Sequence, residues 1–293
     1  MTTAANPSVD FRKHPRPVGH LFGTEELALT GEQLRFYSEN GYLAPLPLLD
    51  DRQLTEMREA LERMVHQPDH PRAHEILSRP KLKPGQPTPM IYFQGAWLAE
   101  EAFHDILFFP KLTRPLRQLL GTPRVRFWHD QIFYKPARHG GVVAWHQDYS
   151  YWTRTEPIGH ITCFVALDDT TLENGCLHVI PGSHRWPLLP TVPLTGTAAD
   201  MDAIKQVLNP EQLAQFKPTP ISLKAGQCSF HHPLLLHGSY ANTSDHPRRG
   251  VVLNFMKADT RSNNDQKPPM PGAPIYPKGA VIAGDLFPIV TPE

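Results

Sequence analysis

Apolar residues in the first 120 positions recur at the spacing of amphipathic helices. Thr30-Gly31-Glu32-Gln33 has the pattern of a capping box and predicts a short helix from that point. A longer helix is predicted after Asp50, since one helical stripe is formed by Leu54, Met57, Leu61, Met64 and Val65. Residues 66–100 are rich in proline and predict loops, and a third helix is expected over 100–120.

From residue 124 onward the pattern alternates with a period of two, which indicates β-strands. Over 124–135, Gln131 and Lys135 fall on one face of the predicted strand and Ile132 on the other. Asn174-Gly175 is a strong signal for a tight turn. Further strands are predicted at 161–167, 176–180, 219–223, 227–231, 234–237 and 249–256.

This order, helices first and many short strands afterwards, predicts a mainly β fold in which helices support a β-sandwich or jelly roll. Of the two we expect a double-stranded β-helix, the jelly-roll or cupin-like core, in a single domain of 1–293. Its expected parts are an N-terminal arm (1–29), mainly helical support (30–121), a jelly-roll core (122–258) with an insertion (186–218), and a proline-rich tail (259–293). The insertion and the tail are interpreted as either lids or oligomer contacts.

Composition excludes several classes of protein. Lys+Arg and Asp+Glu both number 29, so no excess of positive charge favours nucleic acid or an anionic membrane. The three cysteines are widely spaced, which fits a reducing compartment better than a disulfide scaffold. No apolar run is long enough to cross a bilayer, and no secretory signal is evident. We therefore expect a cytoplasmic protein with a small-molecule partner and leave its oligomeric state open.

The most informative polar residues are His146 and Asp148, which lie two positions apart and leave the same face of an extended chain. With a second imidazole they would form the two-histidine, one-carboxylate triad that binds Fe(II) and leaves coordination positions open. His237, 91 residues after His146, is the candidate, and His231 and His232 are its rivals. A histidine–x–aspartate pair alone is a weak signal, since it also arises by chance.

A candidate anion-binding residue follows these ligands. Arg248 comes eleven residues after His237, and an arginine can bind a carboxylate through two parallel hydrogen bonds. Arg249 is the alternative if the strand register differs by one residue.

Several blocks occur together in a fixed order along the chain. They are Trp145-His146-Gln147-Asp148, Glu173-Asn174-Gly175-Cys176-Leu177, Pro181-Gly182-Ser183-His184, and His237-Gly238-Ser239 continuing to Arg248. In this order they resemble the phytanoyl-CoA dioxygenase family of Fe(II)- and 2-oxoglutarate-dependent oxygenases. Thr30–Tyr42 is similar to the N-terminal helix of that family, so the resemblance covers roughly residues 28–258.

The resemblance implies roles for individual residues. His146, Asp148 and His237 would be the metal and catalytic ligands of Fe(II). Arg248 would pair with the distal carboxylate of 2-oxoglutarate and Ser239 would add a hydrogen bond to it. Other expected contacts with this co-substrate are Gln131 and Lys135, and the expected wall of the substrate pocket is Trp152, Tyr149 and Tyr151.

The resemblance also implies a reaction. With O₂ as the second co-substrate, the enzyme would hydroxylate a small organic molecule and release succinate and CO₂. Because Asp148 is present, halogenation is not expected, since related halogenases lack this carboxylate. Desaturation, epimerisation or cyclisation with the same cofactors stays open, as does a jelly-roll binding protein without turnover.

Overall fold

The computed structural model describes residues 9–67, 69–78, 90–138, 140–196 and 199–291. Its α-helices are α1 (Gly31–Asn40), α2 (Asp51–His66), α3 (Ala96–Ala99), α4 (Glu101–Asp105), α5 (Pro110–Leu120) and α6 (Pro210–Gln215). Its strands are β1 (Tyr42–Pro47), β2 (Ile91–Phe93), β3 (Val125–Lys135), β4 (Val143–His146), β5 (Thr155–Glu156), β6 (His160–Ala166), β7 (Leu177–Val179), β8 (Thr219–Ile221), β9 (Gln227–His231), β10 (His237–Ser239), β11 (Arg248–Lys257) and β12 (Arg261–Ser262).

Two antiparallel sheets form the centre of the molecule. The major sheet has the order β1-β9-β6-β11-β3-β2, and the minor sheet has the order β4-β10-β7-β8. Apolar side chains of the two sheets pack on one another through Phe164 and Val252 of the major sheet and Leu177 and Val179 of the minor sheet. The expected double-stranded β-helix core is therefore present.

The period-two alternation of the strands separates two apolar layers. On β6, Cys163 and Val165 pack in the cluster that contains the helices, whereas Phe164 packs toward the minor sheet. The predicted stripe of α2 lies in the same helical cluster, and all of its five apolar residues are buried. The helices thus cover the outer face of the major sheet and leave its inner face for the interior of the β-helix.

The ends of α1 and the path of residues 100–120 follow local chemistry. Thr30 and Gln33 form the predicted capping box, and Gly41 ends α1 in the left-handed conformation. The single helix expected over 100–120 is wrong, since the chain forms α4, a 3-10 turn and α5 instead. The break falls at Phe109-Pro110, where the proline occupies the first turn of α5 and cannot continue a preceding helix.

Other differences concern short strands. Strands β1 and β2 lie in segments without clear alternation, and the strand predicted at 234–237 is wrong except for its last residue. Residues before His237 form a turn, in which the Leu235 amide donates to the His232 carbonyl at 2.8 Å. Strands β1 and β2 are extended because they pair with β9 and β3, which are distant in the sequence, rather than because of their local pattern.

The insertion and the tail both pack on the core. The insertion (186–218) contributes Trp186, Leu189 and Ile204 to a buried cluster with Trp145 of β4. In the tail, the Val290 amide donates to the Val125 carbonyl at 3.0 Å, which extends the pairing along β3. No helix in the described ranges combines the length and apolarity needed to span a membrane.

Candidate metal centre and anion pocket

His146, Asp148 and His237 converge at the open end of the β-helix. His146 is the last residue of β4, and His237 opens β10 as its direct cross-strand partner. After His146 the chain stays extended for one residue and then enters a 3-10 turn, whose first residue is Asp148. One ligand atom from each of the three side chains lies within 4.8 Å of the others.

Backbone hydrogen bonds orient the two imidazole rings. Nδ1 of His146 lies 2.8 Å from the Ala144 carbonyl oxygen, and Nδ1 of His237 lies 2.9 Å from that of Leu235. Because carbonyl oxygens only accept, both Nδ1 atoms carry the proton and both Nε2 atoms expose a lone pair. These Nε2 atoms lie 3.4 and 3.6 Å from Asp148 Oδ1.

The protonation states also suit a metal. Burial lowers the pKa of His237 well below its ordinary value, which favours the neutral imidazole that a metal requires. For Asp148, burial alone would raise the pKa, but the imidazoles packed around it, of which His231 donates a hydrogen bond, hold it well below its usual range. A neutral imidazole at His237 and an ionised carboxylate at Asp148 suit Fe(II).

Arg248 enters the interior of the β-helix from the start of β11. It is 2% exposed, and its guanidinium stacks over the Phe164 ring at 4.7 Å. Burial lowers its pKa to about 10, so it is still a cation at neutral pH. No carboxylate in the described parts of the chain pairs with it, and its Nε has no hydrogen-bond partner there. A buried cation in this state favours an anionic ligand.

Lys135 lies beside Arg248, since the two residues are cross-strand partners on β3 and β11. Its Nζ donates to Ser239 Oγ at 2.8 Å and also to the Tyr240 carbonyl. Burial, and then the charge of Arg248, lower the pKa of Lys135 to about 6. Ser239 thus accepts from Lys135, and its own hydroxyl proton is available to a ligand. Arg248, Lys135 and Ser239 form a group that we call the anion pocket.

The neighbouring Arg249 is directed to the opposite face of β11. Its guanidinium makes ion pairs with Asp168 at 2.7 Å and with Glu62 of α2 at 2.8 Å. Of the two arginines left open by the sequence, only Arg248 enters the interior.

The triad and Arg248 line one cavity of about 230 Å³ between the two sheets. Of the aromatic residues predicted for its wall, Tyr151 and Trp152 line it. Tyr149 does not: its hydroxyl donates to the Thr155 carbonyl, and its ring packs in the apolar cluster that also contains Trp152. Gln131 lines the cavity as well, whereas Lys135 reaches it only through its contact with Ser239.

Several lining residues had no signal in the sequence. Tyr92 comes from a segment predicted as loop, and Leu194 and Thr195 come from the insertion. Thr162 and Phe164 could have been assigned to the inner face of β6 from its alternation.

The structure also separates the three candidate histidines. His237 supplies Nε2 to the cluster, whereas His231 lies behind it with Nε2 3.2 Å from Asp148 Oδ2. His232 lies elsewhere, with its ring 5.4 Å from that of His184.

A double-stranded β-helix that holds two histidines and one carboxylate at its open end, with a buried arginine in the same cavity, defines a non-haem iron oxygenase. The sequence model of one family, described as phytanoyl-CoA dioxygenase, matches residues 37–250. This chain belongs to the phytanoyl-CoA dioxygenase family and is a 2-oxoglutarate-dependent dioxygenase that uses iron.

Relatives with curated names are similar over most of their length. Ectoine dioxygenase of Bordetella bronchiseptica is 26% identical over 264 residues, which cover 84% of this chain and 82% of that protein. L-proline trans-4-hydroxylase of Streptomyces griseoviridis is 25% identical over 249 residues, which cover 80% and 88%. The human peroxisomal phytanoyl-CoA dioxygenase is 24% identical over 253 residues, which cover 84% and 73%.

Solved structures show the same fold. An α-ketoglutarate-dependent carbocyclase from nogalamycin biosynthesis superposes with a TM-score of 0.70 at 23% identity, covering 91% of this chain and all of that one. An epimerase, solved in complex with Fe³⁺, α-ketoglutarate and a nogalamycin compound, gives a TM-score of 0.69 at 24% identity, covering 88% and 97%.

Proposed function

We propose that this enzyme hydroxylates a small organic molecule, with 2-oxoglutarate and O₂ as co-substrates and succinate and CO₂ as products. The observation that carries the proposal is the placement in one cavity of the triad and of Arg248, which pairs with no carboxylate of the described residues. Together they provide a cation for one end of a dicarboxylate and a metal position for the other end.

The protein ligands of Fe(II) in this proposal are Nε2 of His146, Nε2 of His237 and Oδ1 of Asp148. The backbone bonds to both Nδ1 atoms fix the rings and direct both Nε2 atoms to the metal position. When bound, iron supplies the oxidative chemistry with O₂ and the keto acid.

The anion pocket would hold the distal carboxylate of 2-oxoglutarate. Arg248 offers two parallel N–H donors, and the Ser239 hydroxyl offers a third. Lys135 supports Ser239 at 2.8 Å and would gain a proton when a negative charge enters the pocket, because that charge stabilises its ammonium form. Each polar group of the pocket then has a partner in the complex.

Substrate would occupy the side of the cavity formed by Tyr92, Tyr151, Trp152 and Leu194. These side chains exclude water and hold the substrate by apolar contact. A polar position is added by Gln131, whose Nε2 donates to the Tyr92 hydroxyl at 3.1 Å. Relatives are named for ectoine, L-proline and phytanoyl-CoA. We accordingly assign a small organic molecule without choosing among such classes.

Epimerisation and ring closure are the second candidates, favoured by the names of two structural neighbours. The ligand set is the same for all these outcomes. Incorporation of an atom from labelled O₂ into product separates hydroxylation from them.

The test begins with apoprotein, Fe(II) and 2-oxoglutarate under anaerobic conditions. We expect a weak metal-to-ligand charge-transfer band in the visible spectrum that is lost in Asp148→Ala. Succinate release on admitting air, stimulated by members of a metabolite panel, then identifies substrates. Absence of the band in folded wild-type protein would refute the proposal in favour of a binding protein or another metal.

A further inference from the structure

A row of buried polar residues crosses four strands of the major sheet beneath Asp148. The strand register pairs His129 of β3 with Asn254 of β11, Asn254 with Thr162 of β6, and Thr162 with His231 of β9. Because cross-strand partners project from the same face, all four side chains point to the interior, and each is at most 5% exposed. Buried polar groups in an otherwise apolar sheet need partners.

The two oxygens of Asp148 have different partners. Oδ1 faces Nε2 of both His146 and His237, at 3.4 and 3.6 Å. Oδ2 is 2.7 Å from the Thr162 hydroxyl and 3.2 Å from His231 Nε2. An ionised carboxylate only accepts, so both Thr162 and His231 donate to Oδ2.

We infer that Thr162 and His231 are positioning residues that hold Asp148 as a monodentate ligand through Oδ1. The inference rests on the proposed function. Two donors face Oδ2. Turning this oxygen to the metal would leave the His231 N–H buried without an acceptor among the described residues, and would leave Thr162 only Asn254 Oδ1. A bidentate carboxylate would take one more coordination position, and chelating 2-oxoglutarate together with O₂ requires three to stay open.

The hydrogen bonding of His231 explains why it is not the third ligand. Its Nε2 is protonated and donates a hydrogen bond to Asp148, whereas the Nε2 atoms of His146 and His237 present lone pairs. The row continues behind Thr162, whose Oγ1 is also 2.9 Å from Asn254 Oδ1; its single hydroxyl proton goes to Asp148 Oδ2, which at 2.7 Å is the nearer acceptor. The side-chain amide nitrogen of Asn254 is in turn 3.3 Å from His129 Nδ1.

Variants can remove each donor with little change in shape. Thr162→Val and His231→Phe delete the two hydrogen bonds, whereas Thr162→Ser and His231→Gln retain a donor. The probes are Fe(II) alone, and then Fe(II) with 2-oxoglutarate without O₂. Loss of a group that orients a ligand costs about 10- to 100-fold in metal affinity. We expect the Fe(II) Kd to rise by that factor in Thr162→Val and His231→Phe, with a weakened and shifted charge-transfer band. Thr162→Ser and His231→Gln should have values near wild type.

Two matched controls measure the cost of altering buried polar residues elsewhere. In His160→Phe a buried imidazole is lost whose two nitrogens have no hydrogen-bond partner in the described chain. In Thr170→Val a buried hydroxyl is lost that accepts from the Leu223 amide at 2.9 Å. Both controls should keep the wild-type Fe(II) affinity and band even if their unfolding midpoints fall.

The outcomes are distinct. Wild-type affinity and an unchanged band in both Thr162→Val and His231→Phe would overturn this inference and leave the proposed function standing. No band in wild-type protein would overturn the proposed function itself. If one of the two variants does not fold, the other tests the same oxygen from a different strand. Equal loss in Thr170→Val would also overturn the inference, since it would assign the effect to general destabilisation.

Discussion

Replacing Arg248 by methionine removes the cation of the anion pocket while keeping most of the side-chain volume. Arg248 is 2% exposed and its guanidinium stacks on Phe164, so water cannot easily fill the space and replace the lost charge. In the described residues no carboxylate neutralises it, and its charge is therefore available to a ligand. We expect Arg248→Met to weaken 2-oxoglutarate binding strongly and to leave Fe(II) binding in place.

The size of the effect follows from burial. Removing one partner of a buried ion pair costs about 3–5 kcal/mol because the other charge is left without compensation. At about 1.4 kcal/mol per tenfold change, this predicts a rise in Kd of more than 100-fold. Lys135 donates to the Ser239 hydroxyl, and in the variant its ammonium form still places one cation near the carboxylate, which limits the loss of affinity. We expect roughly 100- to 1,000-fold.

Anaerobic titration of Fe(II)-loaded protein with 2-oxoglutarate, followed by the charge-transfer band, measures this Kd. Arg249→Met is the matched control, since Arg249 lies on the other face of β11 and pairs with Asp168 and Glu62. It should lose stability but keep the wild-type Kd. A similar Kd in wild type and Arg248→Met, or equal losses in both variants, would refute the anion pocket.

Two further predictions concern pH and stability. The pKa of Lys135 is lowered to about 6 by burial and by Arg248, and a bound carboxylate would raise it, so the complex takes up a proton. Affinity for 2-oxoglutarate should thus fall as pH rises above about 6, a dependence that Lys135→Met should abolish in the same titration. Gly175 has a φ of +75°, and a Cβ there would lie 2.3 Å from the Tyr240 carbonyl oxygen. In urea unfolding, Gly175→Ala should cost about 1–3 kcal/mol, and more than Gly279→Ala, which has a similar φ in open space; equal costs would contradict the clash.

Local sequence pattern predicts the secondary structure correctly where residues two or three positions apart determine it. The α2 stripe, the Thr30 capping box and the alternation of β3, β6 and β11 need only near neighbours, and the structure has all of them. The break at Pro110 is equally local in cause, because the proline starts α5 and cannot extend the helix before it.

What the sequence by itself predicted was therefore the β-helix, the His146–x–Asp148 pair with a further histidine near the end of the core, and the presence of an arginine at the start of β11. Tertiary structure alone decided that Arg248 rather than Arg249 faces the interior, that His237 rather than His231 presents a free nitrogen, and that Tyr149 leaves the cavity wall. The physical reason is that these choices depend on strand register and on turns that join distant segments. A shift of one residue reverses every side chain of a strand, and the face that turns inward is fixed by the pairing of β11 with β3 and β6, which are distant in the sequence.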